Sequence, residues 1–345
     1  MRTIPVPGVR PSAPSRRQVC RQIGHRLVGG LGLLSGLGAL SPARAQAWPE
    51  KPVRWVLSQP PGSGPDNVAR LLTERLAKAW GQALVVDNKP GGQNTIGAQA
   101  AARAPADGHA FYFATTAALV TNSYLFKSLP YDPRKDFVPV AFVARSPFAV
   151  LVEVGSPLRS LADLVKAAQA RPGQLKVATE GPRTFGGMIA RLLAARLGLD
   201  LNLAAYASVG TASQDTLGGH VDLLVADLAS TATLLRQGRL RALAVTTAQR
   251  VAGFEAVPPV ADTVPGFDMG GWFCLVAPAG TPEAVVQRVN RDLNALLAEP
   301  AIAERIAAIG PVAAGGLDPA QVAQWLAQEH QRWAQATREI GVLPE

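Results

Sequence analysis

Short apolar runs alternate with amphipathic stretches along most of the 345-residue chain. The apolar runs, each short enough for one buried strand, lie at 53–57, 83–86, 110–114, 138–143, 148–152, 175–178, 221–225, 241–245 and 273–277. Between them, apolar residues recur at helical spacing at 66–80, 95–103, 160–171, 186–197, 211–217, 229–237, 282–298, 300–309 and 319–340. This alternation predicts an α/β fold in which parallel-rich sheets are flanked by helices, in a chain long enough for two domains.

Two glycine-rich turns each follow a predicted strand and precede a predicted helix. They read Pro60-Pro-Gly-Ser-Gly-Pro-Asp66 and Asn88-Lys-Pro-Gly-Gly-Gln-Asn-Thr95. Such a turn leaves backbone N–H groups unpaired at a helix N-terminus, where the helix dipole adds partial positive charge. In parallel sheets ligands bind beyond the carboxyl ends of the strands. The two turns therefore predict a site for one small anionic ligand, held mostly by main chain.

The first 45 residues have the layout of an export signal. They carry seven arginines and no acidic residue, an uncharged Gly- and Leu-rich run from Leu27 to Ala43, and a small-x-small cleavage site at Ala43-Arg-Ala45. This order predicts a signal peptide cleaved near Ala45. Ser15-Arg16-Arg17-Gln-Val19 favours the twin-arginine route, with the general secretory route as the alternative. A membrane anchor is the alternative to a cleaved signal peptide, and the short, glycine-rich apolar run argues against it.

Removal of that segment changes the meaning of the composition. The chain has 34 basic and 25 acidic side chains, and the seven N-terminal arginines account for all but two of the nine excess positive charges. The high isoelectric point therefore gives no support to nucleic-acid binding. Only Cys274 would remain, so no internal disulfide is possible. His109, His220 and His330 lack metal-ligand spacing and are interpreted as surface or incidental residues; no metal site or cofactor is expected.

Two enzyme motifs are only partly matched. Gly62-Ser-Gly64 after a strand imitates a dinucleotide fingerprint, but Asn67 stands where the third glycine belongs. Tyr206-Ala-Ser-Val-Gly210 half-matches a nucleophile elbow and lacks its first glycine. Asp66, which opens a helix, has the simpler interpretation of an N-cap. The sequence therefore assigns no catalytic residue. The apolar stripe of the last helix, which includes Trp325 and Trp333, is interpreted as core packing.

At the level of motifs the chain resembles the Bug-type periplasmic solute receptors of tripartite tricarboxylate transporters. The resemblance starts with Trp48-Pro49, the turn 61–66, and Val85-Val-Asp-Asn-Lys-Pro-Gly-Gly-Gln-Asn-Thr-Ile-Gly97. Further matches follow in order at 106–109, 131–137, 217–222, 238–245, 257–259, 272–273 and 277–282. The resemblance thus covers essentially the whole of the chain after residue 45.

The resemblance implies a fold and a function. The fold is a two-domain periplasmic binding protein of type II-like architecture with its ligand in the interdomain cleft. Lobe 1 would comprise 46–148 and 272–345, lobe 2 would comprise 149–271, and the two crossover segments would form a hinge. The function would be that of a monomeric periplasmic receptor, not an enzyme, that delivers a small carboxylate, a class that includes di- and tricarboxylates and amino acids, to the permease subunits of a tripartite tricarboxylate transporter.

The expected ligand contacts come from both lobes. They are Gly62, Ser63, Gly64, Asp66, Gly92, Gln93, Asn94, Thr95, Thr115 and Thr116 in lobe 1, and Arg183, Thr184, Tyr206, Ser208 and Asp227 in lobe 2. Arg183 could grip a carboxylate or be a solvated loop residue, and Asp227 could receive a ligand ammonium, amide or hydroxyl or merely cap a helix. This chain departs from the family pattern on the lobe 2 side, with Gly187-Met188, Arg191 and the segment 205–208. A ligand sensor that works with a sensor kinase, and a secreted enzyme on the same fold, are the alternatives.

Overall fold

The computed structural model describes residues 48–181 and 183–344. The predicted signal peptide lies outside these residues. The strands of the described part, numbered along the chain, are β1 (Val53–Leu57), β2 (Leu84–Asn88), β3 (Ala110–Thr115), β4 (Phe137–Ser146), β5 (Phe148–Glu153), β6 (Lys176–Thr179), β7 (Asn202–Ala205), β8 (Leu223–Asp227), β9 (Leu240–Val245), β10 (Gly271–Pro278) and β11 (Val312–Ala313).

The helices of the same residues lie between and after the strands. They are α1 (Gly64–Trp80), α2 (Thr95–Ala102), α3 (Asn122–Leu125), α4 (Leu161–Ala170), α5 (Phe185–Leu197), α6 (Val209–Leu217), α7 (Leu228–Arg236), α8 (Glu283–Leu297), α9 (Pro300–Ile309) and α10 (Pro319–Glu339). A π-helical turn at Ala117–Thr121 leads into α3. Within the described part of the chain, no helix is long and apolar enough to cross a membrane.

The strands form two sheets. The first has the order β11-β4-β10-β3-β1-β2, and the second has the order β7-β6-β8-β5-β9. The α/β class predicted from the alternation is confirmed, but both sheets are mixed. Between the named strands, parallel pairing occurs for β1 with β2 and β3, and for β6 with β7 and β8, whereas the other strand pairs are antiparallel.

The antiparallel strands are those next to the passages between the sheets. β4 ends at Ser146 in the first sheet and β5 begins at Phe148 in the second, with only Pro147 between them. The return passage runs beside it: the Thr246 N–H donates to the Phe148 carbonyl (2.9 Å), the Met269 N–H donates to the Thr246 carbonyl (2.8 Å), and β10 starts with Gly271 paired to Ser146. Two adjacent crossovers thus connect the sheets, close to the boundaries predicted at 148–149 and 271–272.

Apolar side chains at alternate strand positions pack under the helices. Trp55 and Phe113 face α1 and α8 from the first sheet, and their rings stack at 5.8 Å between centroids. On α10, the predicted stripe is core: Trp333 is buried and its ring lies 5.0 Å from that of Phe185 in α5, while Trp325 lies 4.4 Å from Phe142 in β4. The last helix therefore packs against elements of both sheets.

Sequence periodicity located the long elements and missed the short ones. All nine predicted strands and nine predicted helices are present within a few residues of their expected ends. β7, β11 and the segment 117–125 were not predicted, because an edge strand of four residues and a two-residue strand carry too little pattern. His109 and His330 are buried, which corrects their assignment to the surface, whereas His220 is exposed.

Candidate functional site

A cleft of about 630 Å³ lies where the carboxyl ends of β1, β3, β6 and β8 approach one another. Its first wall consists of residues from the loops and helices of the first sheet, and its second wall consists of residues from those of the second sheet. A separate cavity of about 540 Å³, beside α10, is lined from the first sheet's side only. The cleft is the better candidate site because it collects polar groups from both sheets at strand ends, as α/β ligand sites do.

Ten of the fifteen predicted site residues line this cleft. They are Ser63, Gly64, Gln93, Asn94, Thr115, Thr116, Arg183, Thr184, Ser208 and Asp227. The other five, which do not form its walls, are Gly62, Asp66, Gly92, Thr95 and Tyr206. No three potential metal-ligating side chains cluster among the described residues.

Asp66 holds the first glycine-rich turn (60–66) in shape through hydrogen bonds. Its buried carboxylate accepts hydrogen bonds from the Gly62 N–H (2.8 Å), Arg70 Nε (2.8 Å) and Asn88 Nδ2 (2.9 Å). Burial alone would raise the pKa of Asp66, but the hydrogen bonds from Arg70, Gly62 and Asn88 hold it below its usual value. Asp66 lies inside the first turn of α1, which begins after Ser63, so it is not the N-cap that the sequence suggested. Its carboxylate fixes the shape of the turn and does not face the cleft.

The second turn has an unusual backbone. Gly91, Gly92, Gln93 and Asn94 follow one another with positive φ angles of 114°, 56°, 51° and 77°. Residues other than glycine adopt such angles at a cost, and they do so mostly where function or surrounding contacts require it. Side chains hold the turn: Gln59 Nε2 donates to Asn94 Oδ1 (2.7 Å), and the Nδ2 of the buried Asn122 donates to the Gln93 carbonyl (2.8 Å).

The end of β3 and the π-helical turn complete the first wall. The Thr116 hydroxyl accepts the Trp272 N–H (3.0 Å), and Gln59 Nε2 lies 3.5 Å from the Thr115 hydroxyl. Two polar atoms at this wall are buried without a hydrogen-bond partner among the described residues: Thr121 Oγ1 and Gln59 Oε1. Such atoms are costly in a folded protein, so a water or a polar group of a ligand that bonded to them here would stabilise the folded protein.

The helix N-termini of the two walls differ. On the first wall, neither Ser63 before α1 nor Asn94 before α2 accepts a side-chain capping bond from its helix. On the second wall, the side chains of Thr184, Ser208 and Asp227 each accept the backbone N–H three residues later, at 3.2, 3.2 and 2.8 Å. The helix N–H donors of the first wall therefore have no side-chain cap, whereas on the second wall three helix N–H donors are bonded to capping side chains.

Two carboxylates stand at the ends of neighbouring strands on the second wall. Asp227 ends β8 and Glu180 directly follows β6, which runs parallel to β8. Glu180 has a large exposed fraction, but the cleft walls surround its carboxyl group; this desolvation, reinforced by the charge of Asp227, raises the pKa of Glu180. Burial also raises the pKa of Asp227, against the opposing hydrogen bonds of Ser230.

Arg183 and Tyr206 make contacts that the sequence did not predict. Arg183 Nη2 donates to the carbonyl oxygens of Leu125 and of Leu343 (3.1 Å), so the guanidinium joins the second wall to α3 and to the C-terminal tail. The Tyr206 hydroxyl donates to Asp215 Oδ2 (2.8 Å) and does not reach the cleft. The gripping role expected for Arg183 stays a prediction.

Sequence reasoning missed several lining residues. They include Gln59, Thr121, Asn122, Phe148, Glu180 and Trp272. Glu180 carried a usable signal, because it comes two residues after the predicted strand 175–178, at the edge where ligands bind. Thr121 and Asn122 carried none, since the segment 117–125 has no regular pattern.

Comparison with known proteins agrees with this geometry. Residues 68–342 match the model of the tripartite tricarboxylate transporter family receptor. A UPF0065 protein of Bordetella bronchiseptica is 41% identical over 298 residues, covering 85% of this chain and 88% of that protein. BugT of Bordetella pertussis is 33% identical over 321 residues, covering 92% and 98%.

Solved structures are also similar. Rpa4515 of R. palustris, in a structure with adipate, has 31% identity and a TM-score of 0.80, with 86% of this chain and all of that chain covered. The periplasmic binding protein BugD has 29% identity and a TM-score of 0.76 over the same shares.

Proposed function

Since the chain belongs to the family of tripartite tricarboxylate transporter receptors, we propose that it captures a small carboxylate in the cleft and delivers it to the permease subunits of a transporter of that type. The family, the Bug-type relationship and the two-domain binding-protein fold agree with the resemblance read from the motifs. The ligand, the permease and the export of this chain are parts of the proposal.

One observation carries the carboxylate assignment. The two glycine-rich turns meet at the cleft, and the helices that follow them begin without side-chain caps. Uncapped helix N-termini bind anions through backbone N–H groups and the helix dipole. A similar protein is described with adipate, a dicarboxylate. The solute's carboxylate would thus lie against the first wall, held mostly by main chain.

The proposal also includes domain movement and export. The units built on the two sheets, 46–148 with 272–345 and 149–271, would close on the solute by bending at the two adjacent crossovers. The signal peptide would be removed near Ala45, and the chain would act in the periplasm as a monomer.

The direct test is to identify the solute. Freshly purified protein is denatured, and the small molecules released are identified by mass spectrometry; the proposal expects a small carboxylate. Gly62→Val and Gly92→Val should abolish its retention, because both positions have positive φ and shape the turns at the cleft. Gly81→Val is the matched control: Gly81 has a similar φ of 65° and open space, at the far end of α1.

The outcomes separate the candidate functions. Release of no carboxylate, or retention by both turn variants equal to that of the control, contradicts the proposal. Chemical change of the solute during incubation with the protein favours an enzyme on this fold. Co-purification with a sensor kinase and with no permease favours the sensor.

A further inference from the structure

The two walls of the cleft differ in the charge they offer to a solute. The basic side chain on the described walls is Arg183, and the acidic ones are Glu180 and Asp227. No ion pair among the described residues joins either carboxylate to a base. The guanidinium of Arg183 on the second wall is engaged by the carbonyl oxygens of Leu125 and Leu343. At the part of this wall formed by Glu180 and Asp227, a second carboxylate on the solute would therefore meet like charge, while a cation would meet its complement.

Adjacent strand ends bring the two acids to the same edge of the sheet. β6 and β8 are neighbouring parallel strands; Glu180 directly follows β6 and Asp227 is the last residue of β8. Neighbouring strands lie about 4.8 Å apart. The two carboxylates also interact electrostatically, since the charge of Asp227 contributes to the raised pKa of Glu180.

Side chains already use part of the helix N–H donors of the second wall, which separates its chemistry from that of the first wall. Thr184, Ser208 and Asp227 each accept the third N–H group of the helix they cap, in α5, α6 and α7 respectively. An anion at this wall would compete with side-chain caps for donors. The wall instead presents carboxylate oxygens, which accept hydrogen bonds and repel anions.

An independent feature indicates that a polar ligand fills the space between the walls. Thr121 is 1% exposed, lines the cleft, and its hydroxyl has no hydrogen-bond partner among the described residues. Gln59 Oε1 is also buried and has no hydrogen-bond partner among the described residues. The cleft therefore contains polar atoms that a solute with more than one polar group would satisfy.

We propose that the solute carries a cationic nitrogen at a distance from its carboxylate, and that the nitrogen binds between Glu180 and Asp227. This inference rests on the proposed function, because it takes the carboxylate to lie at the first wall. The class is that of amino acids whose ammonium group is remote from a carboxylate, and plain dicarboxylates bind more weakly. Phe148, which pairs with Asp227 in the sheet, and Phe185 flank this position and suit an apolar linker.

The test compares solutes of matched length. Calorimetric titration of the purified protein, freed of bound solute, uses 4-aminobutanoate against succinate and 6-aminohexanoate against adipate. The amino acid of the better-fitting pair should bind at least about tenfold more tightly than its dicarboxylate. Glu180→Gln should weaken amino-acid binding by about ten- to 100-fold, the range for a hydrogen bond to a charged group. The same change should strengthen dicarboxylate binding.

Two further variants isolate the cause. Asp227→Asn removes the charge and keeps a good N-cap for α7, so it should act like Glu180→Gln without unfolding the helix. Asp222→Asn makes the same change at the opposite end of β8, where the carboxylate accepts the Lys176 N–H, and should leave both affinities unchanged.

Each outcome bears on one claim. Tighter binding of dicarboxylates by the native protein, or equal effects of Glu180→Gln and Asp222→Asn, overturns the inference and leaves the proposed function standing. Failure of all four compounds to bind, together with no carboxylate among the released solutes, contradicts the proposed function itself.

Discussion

We expect the proposed closure of the cleft to require a glycine at position 310. Gly310 follows α9, which packs beside the first sheet, and it faces the backbone of Ala229 at the start of α7 beside the second sheet. A Cβ at Gly310 would lie 2.4 Å from Ala229 Cα and 2.6 Å from its nitrogen. Arg236 strengthens the same contact by donating to the Ala308 carbonyl (3.2 Å). We expect Gly310→Ala to hold the two units apart.

The size of the effect follows from that overlap. Carbon atoms in good contact lie about 3.5–4.0 Å apart, so the two segments must separate by about 1 Å. Overpacking of this kind costs about 1–3 kcal/mol, which would weaken solute affinity by about five- to 150-fold. Gly310 also has a φ of 122°, so the substitution strains the folded chain by about 1–3 kcal/mol whether or not the cleft is closed.

A matched variant separates closure from strain. Gly316 has a φ of 94° and nothing within 4 Å of its added Cβ, so Gly316→Ala imposes strain without the clash. Both variants should lose stability in urea unfolding, and only Gly310→Ala should lose affinity in calorimetric titration with the solute released from the native protein. X-ray scattering should show a smaller solute-induced compaction for Gly310→Ala. Equal affinities for the two variants would refute the reasoning.

Two predictions concern other parts of the chain. Burial lowers the pKa of His330 to about 4, so the unfolded state binds the proton first as the pH falls. Stability should therefore decline between about pH 6.5 and pH 4, and thermal unfolding should show a flatter decline for His330→Gln; an unchanged slope would contradict this. Replacing both Arg16 and Arg17 by Lys should block export by the twin-arginine route, judged by the amount of protein in the periplasmic fraction. Unaffected export would indicate the general secretory route.

The fold was predictable where pattern extends over many residues. The spacing of apolar residues and the length of each run predict β1 and α1, and the glycine-rich turn between them indicates a strand-to-helix junction. The pairing direction was not predictable, because β4 and β5 are separated by Pro147 alone and their antiparallel partners come from elsewhere in the chain. Periodicity is local, whereas the mixed sheets depend on contacts between distant segments.

The site was predictable where it is built from backbone. The turns that contain Ser63 and Asn94 were predicted because glycines between a strand and a helix N-terminus usually indicate a turn. Side-chain roles were less accessible: Asp66 was expected at the ligand and instead supports its turn through three donors. Tyr206 was expected in the cleft and is bonded to Asp215. Sequence gives the residue type at a strand end and not the direction in which its polar atoms point.

Asp227 illustrates why a cap and a ligand contact need not be alternatives. Its two oxygens accept the Ser230 N–H and the Ser230 hydroxyl, both at 2.8 Å, and the residue still lines the cleft. A carboxylate oxygen can accept more than one hydrogen bond, so capping leaves acceptor capacity for a solute. The same bonds fix the carboxylate in position, which lowers the cost of ordering it on binding. Glu180 has no such anchor among the described residues, so the geometry of the proposed pair depends on the cap of α7.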